Sequence, residues 1–160
     1  MVTPELLEGL EPDARERVMA LGSRVTVPAE SVLFRLGEPA DTVFIVTRGR
    51  IALTLPMRVL GREENVLIEE TLTGQTLGWS ALTPSHRFTL TAMATFEAEV
   101  LALPRDALIA HFEAEPAVGY IVARNAANLA GRRLQVFQAM WLREMQRVVR
   151  LRMRGYRETA

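Results

Sequence analysis

Between Ser23 and Leu103 no stretch has the length or the period of a helix, and that excludes most folds. Short apolar-rich runs recur there instead: RVTV, SVLFRL, TVFIVTRG, RIALTL, ENVLIEETL, QTLGWSAL, RFTLTAMA and AEVLAL. Val25, Val27, Val32, Val43, Ile45, Ile51, Val66 and Ile68 are β-branched and favour strand. Breakers separate the runs at Pro28, Gly37-Glu38-Pro39, Gly49, Gly61, Gly74 and Pro84. Strands this short and this closely spaced predict a sandwich, roll or barrel. The lack of intervening helices argues against a βαβ sheet. A chain of 160 residues is enough for one domain with one substantial core.

The texture changes at both ends. Near the N-terminus, Pro4–Glu8 predicts a short helix with Thr3 as N-cap. A second helix is expected over Pro12–Leu21, opened by proline and stopped by Gly22. From Pro104 the period is helical: PRDALIAHF is one short helix, and a long one starts at about Pro116. Its apolar stripe is Ala123, Ala127, Ala130, Leu134, Phe137, Trp141, Met145, Val148 and Leu151, in steps of three and four. Gly131 weakens the helix by ~1 kcal/mol relative to alanine, as a close helix–helix approach would explain. A helix of this length outruns one small β domain, so a homodimer through Ala127, Ala130, Leu134, Phe137, Trp141, Met145 and Val148 is expected. The other course is for the helix to fold back on its own domain. Residues 1–115 are read as the roll with its N-terminal helices. Residues 116–160 are read as the long helix and a basic tail of the same domain.

Composition removes several function classes. With no cysteine there is no disulfide scaffold, thiolate metal site or cysteine nucleophile. His86 and His111 are the only histidines, too few for the converging His and Glu ligands of a metal-dependent β-roll enzyme. No Ser-His-Asp or phosphate-loop pattern is present, so no catalysis is expected. The acidic start MVTPELLEGL is unlike an export signal, and no apolar run approaches a membrane span. A cytoplasmic protein is expected. The net charge of zero hides an asymmetry: residues 1–120 hold 10 Arg against 17 acids, and residues 121–160 hold 9 Arg against 2 Glu. Arg143, Arg147, Arg150, Arg154 and Arg157 recur at helical spacing beside the apolar stripe. They are either the solvated flank of a coiled coil or a face for nucleic acid, acidic membrane or an acidic partner.

The order of the motifs resembles a known family. VLFRLGEPADTVFIVTRGRIAL (residues 32–53), GRE (61–63), TGQTLG (73–78) and EVLALPRDAL (99–108), followed by a long helix, resemble the cyclic-nucleotide-binding domain of the catabolite activator protein family. The resemblance spans about residues 5–145. It implies an eight-stranded β roll, a mainly β jelly roll with flanking helices, and a regulatory binding role. It also implies a pocket in which a Phe-Gly-Glu-Leu-Ala segment offers a glutamate to the ribose and a later arginine to the cyclic phosphate.

Measured against that pattern, the sequence departs at the glutamate. Leu77-Gly78 matches Phe-Gly, which puts Trp79 where the glutamate belongs, followed by Ser80 and Ala81. An indole N–H only donates, so Trp79 cannot accept from a sugar hydroxyl. The arginine is ambiguous. Counting back from AEVLAL puts Phe88 at its position, whereas counting forward from Gly78 through a one-residue bulge puts Arg87 there. His86 beside it could assist an anion. On the long helix, Asn125 and Asn128 could reach a ligand, as this helix does for the adenine in the family, or else are solvent-facing or interfacial polar positions. The candidate ligand-binding set is therefore Gly78, Trp79, Ser80, Ala81, His86, Arg87, Phe88, Asn125 and Asn128. Its ligand is a cyclic nucleotide, another small anion, or none, in which case the chain is a dimerisation or docking subunit. Transcription factors of the family continue into a winged helix-turn-helix. With the chain read to Ala160, no sequence-specific DNA binding of that kind is expected, and an output partner docks through the long helix.

Overall fold

The computed structural model describes residues 2–158, with side chains through 154; the Arg157 side chain lies outside the described residues. Two compact units are present, residues 1–126 and 127–160.

Within the first unit, eight strands form two four-stranded antiparallel sheets. They are β1 (Ser23–Val27), β2 (Ser31–Phe34), β3 (Thr42–Arg48), β4 (Arg50–Val59), β5 (Arg62–Leu72), β6 (Thr76–Leu77), β7 (Thr91–Ala94) and β8 (Ala98–Pro104). One sheet has the order β1-β8-β3-β6 and the other β2-β7-β4-β5. This is the expected mainly β roll. Four consecutive residues of β3, Val43 to Val46, are buried, so both faces of that strand are covered. Ile51 and Leu53 of β4, Ala92 and Ala94 of β7, and Val100 and Leu103 of β8 complete the interior.

Two strand runs come out differently. QTLGWSAL is strand only over Thr76–Leu77 and then turns into a 3-10 helix at Trp79–Leu82. RFTLTAMA begins its strand at Thr91. The β4–β5 hairpin is also longer than its apolar pattern. β4 runs on through Pro56, which sits opposite Asn65. Beyond Thr54, β4 is paired only with β5, because its register with β7 covers Ala52 to Thr54. A proline there has a strand neighbour on one side only, the edge setting in which proline is tolerated. The hairpin closes on Leu60-Gly61, both at positive φ (49° and 78°), a pairing that suits the twist of a two-residue hairpin loop.

The N-terminal segment is a single 3-10 turn, Glu5–Leu7, capped by Pro4 without a side-chain hydrogen bond. Thr3 is not its cap; its Oγ1 accepts instead from Arg15 Nη1 at 3.1 Å. The helix α1 covers Pro12–Met19, α2 covers Arg105–Ala114 and α3 covers Pro116–Glu158. Proline opens α3 as expected, and Glu115 alone separates it from α2. In the second unit, residues 127–158 form about 48 Å of continuous helix. Leu134, Trp141, Leu142, Val149, Leu151 and Met153 are all more than half exposed on it.

Candidate functional site

The candidate site grows out of β6. Its two residues pair with β3, Leu77 opposite Phe44 and Thr76 opposite Ile45. The chain then turns at Gly78, which has φ 72°. A Cβ at Gly78 would lie 3.0 Å from the Thr42 carbonyl oxygen, 3.1 Å from the Phe88 ring and 3.2 Å from the Phe44 ring. Conformation and space both demand glycine there.

The 3-10 helix follows. Ala81 N–H donates to Gly78 O at 3.0 Å, and Ser80 and Ala81 are buried. Thr83 closes its end twice on Ser80 O, by its N–H at 3.1 Å and its Oγ1 at 2.8 Å. Trp79 is half-buried at the first position of this helix.

Residues 86–88 then run antiparallel to 37–40. Ala40 N–H donates to His86 O at 2.7 Å, Phe88 N–H to Glu38 O at 3.0 Å and Gly37 N–H to Phe88 O at 2.8 Å. In extended chain, neighbouring side chains point to opposite faces. The register therefore decides between Arg87 and Phe88. Arg87, bridged with Pro39, is exposed and donates from Nη1 to Gly37 O at 2.7 Å. Phe88 is 5% exposed and stacks on Phe34, with ring centroids 3.8 Å apart and planes 13° apart. Phe34 in turn lies 5.7 Å from Phe44. The bulge that would turn Arg87 inward is absent, and an aromatic ring fills the inward position.

His86 has φ 44°, unusual for a residue other than glycine, and its ring meets Arg105. Arg105 donates from Nε to Ala81 O at 2.9 Å, and its Nη2 lies 3.3 Å from His86 Nε2. For that second bond His86 Nε2 must accept, so the ring proton sits on Nδ1. The Arg105 backbone N–H also donates to Asp41 O at 2.7 Å. One residue thus ties the 3-10 helix and the following loop to the start of α2. Sequence reasoning missed it. The available signal was an arginine in the first turn of a helix, the end where the helix dipole disfavours cations.

The two asparagines are not brought together. Asn125 is buried, and its amide donates to Leu6 O at 2.9 Å and Glu8 O at 2.8 Å. Both donors are committed to the N-terminal turn. Asn128 is exposed. Of the expected dimer residues, Leu134, Trp141, Met145 and Val148 are exposed, as is Ala127, while Ala130 and Phe137 are half-buried.

At the α2–α3 joint, Arg17 of α1 grips Glu115 with two hydrogen bonds of 3.0 and 2.7 Å. That pairing holds the Glu115 carboxyl below the usual carboxylate range and raises Arg17. His111 of α2 faces the same carboxylate at 3.7 Å. Among the described residues no group of His, Cys, Asp and Glu is placed to hold a metal ion. None of the described helices is long and apolar enough to cross a membrane.

The family model described as "Cyclic nucleotide-binding domain" matches residues 24–115. The N-terminal domain of a transcriptional regulator from Streptomyces coelicolor A3(2) is 25% identical, with TM-score 0.66 over 80% of this chain and 89% of that one. The catabolite activator protein of Thermus thermophilus is 24% identical, with TM-score 0.71 over 89% of this chain and 63% of that one. The sensor domain of the transcriptional regulator DNR from Pseudomonas aeruginosa is 17% identical, with TM-score 0.63 over 82% and 86%. No curated protein shows a significant sequence match.

Proposed function

The chain belongs to the cyclic nucleotide-binding domain family, and on that premise we propose that it is a regulatory module whose cassette is filled by its own side chains. It acts by binding a protein partner, in the cytoplasm, and not by catalysis. The observation that carries this reading is Phe88. The face that the motif pattern reserves for a phosphate-binding arginine presents a buried ring stacked on Phe34. Trp79 stands where the ribose would need a carboxylate, and Arg87 faces outward onto Gly37 O. A cyclic nucleotide entering here would lose both charged hydrogen bonds, each of about 1.5–3 kcal/mol, and would have to displace an aromatic stack.

The same reading explains Arg105. In a ligand-gated domain the cassette moves relative to the helices, and binding biases a two-state element. Here the Arg105 hydrogen bonds to Ala81 and His86 fasten the cassette to α2, and Glu115 with Arg17 fastens the α2–α3 joint. The module rests in one state. Two copies associate through the exposed apolar stripe of α3, as its 3.5-residue spacing favours.

Calorimetric titration with cyclic AMP and cyclic GMP, beside an Arg87→Ala variant, tests the closed cassette. No heat is expected with either nucleotide. Micromolar binding that vanishes in Arg87→Ala would overturn the reading and return Arg87 to a working pocket.

A further inference from the structure

The second unit has a charge pattern that neither the cassette nor the apolar stripe uses. Arg143, Arg147, Arg150 and Arg154 are all exposed. Their spacing of four, three and four residues places them within about 60° of arc on an α-helix, in a row about 16 Å long. From residue 127 to 157 the chain has eight arginines and one acid, Glu144. Glu144 reaches Arg147 only at 3.9 Å. By the same helical geometry the row lies opposite Trp141, Met145, Val148 and Val149, and not beside the apolar stripe as the spacing alone suggests. A partner covering the apolar stripe leaves the arginines facing outward.

We propose that this row is a sequence-independent docking surface for the phosphate backbone of nucleic acid. Guanidinium groups fork onto phosphate oxygens. A row of about 16 Å matches roughly five phosphate steps of one strand at ~3.4 Å axial rise. The charge distribution selects the place: residues 1–120 carry 10 Arg against 17 acids and repel a polyanion. An acidic membrane fits less well. Arg152 lies in line with Trp141, Met145 and Val148, so bringing that face onto lipid pushes Arg152 toward the acyl layer.

The test uses the 160-residue chain and a fluorescein-labelled DNA duplex of arbitrary sequence, read by anisotropy across a potassium chloride series. Binding is expected at low salt, with log K falling against log salt at a slope of about −3.6 per engaged helix. The variant Arg143→Gln/Arg147→Gln/Arg150→Gln/Arg154→Gln should lose binding at least tenfold, with its circular dichroism and sedimentation unchanged, since Gln and Arg have similar helix propensity. Arg152→Gln, off the row, should retain most of the affinity. No anisotropy change at low salt, or full affinity in the fourfold variant, overturns the proposal. So does binding to phosphatidylglycerol vesicles without binding to DNA. Sedimentation reads the dimer separately, so failure of this surface and failure of the regulatory reading are distinguishable.

Discussion

Arg87 and Phe88 are adjacent in sequence and opposite in consequence. Phe88 is sealed inside the roll, so Phe88→Ala removes a buried ring and its stack on Phe34 and should cost about 3–5 kcal/mol of stability. Arg87 makes one exposed hydrogen bond to a carbonyl, so Arg87→Ala should cost less than about 1 kcal/mol. Urea denaturation of the two variants side by side checks the difference. If Arg87→Ala were the more damaging, the inward assignment of Phe88 would be wrong. Gly78 belongs to the same argument. Gly78→Ala forces a left-handed alanine, about 1–2 kcal/mol, into a space bounded at 3.0 Å by the Thr42 carbonyl oxygen, and the two penalties should add.

At the scale of elements, the ties between helices and roll can be tested through Asn125 and Glu115. Asn125→Ala leaves Leu6 O and Glu8 O without their donor and should cost about 1–3 kcal/mol, measured by thermal melting. Glu115 has its folded pKa lowered by Arg17. Its contribution is therefore complete above the ordinary carboxylate value of 4.5 and is lost as pH falls through the lower folded value. Melting temperatures should drop across that acid window in the native chain, and Glu115→Gln should flatten this part of the profile. The elements themselves were largely legible in sequence. Glycines and prolines mark where strands stop, and Pro116 marks where α3 starts. The site was less so. The choice between Arg87 and Phe88 turns on one residue of register, which reverses every side chain and leaves composition unchanged. Asn125 sits on a helix face that periodicity could place, but its partners are more than 100 residues away in sequence. The apolar run RIALTL ends at Leu55, whereas β4 continues through Pro56 to Val59, because β5 supplies a partner that the apolar pattern does not mark.

For the whole molecule, the regulatory reading depends on association. Sedimentation equilibrium should give about twice the chain mass of 17.9 kDa. Trp141→Glu, which sets a charge in the middle of the exposed stripe, should return it to a single chain while leaving the roll's thermal melt in place. The β4–β5 hairpin has a different bearing on how the molecule can be used. Beyond Thr54 it is held by one pairing only, and it ends at Leu60, which is fully exposed. Its tip can be lengthened without touching the interior. A short epitope or a dye-bearing residue placed between Leu60 and Gly61 gives a handle for labelling or immobilising the protein that replaces no residue of the cassette or of the arginine row.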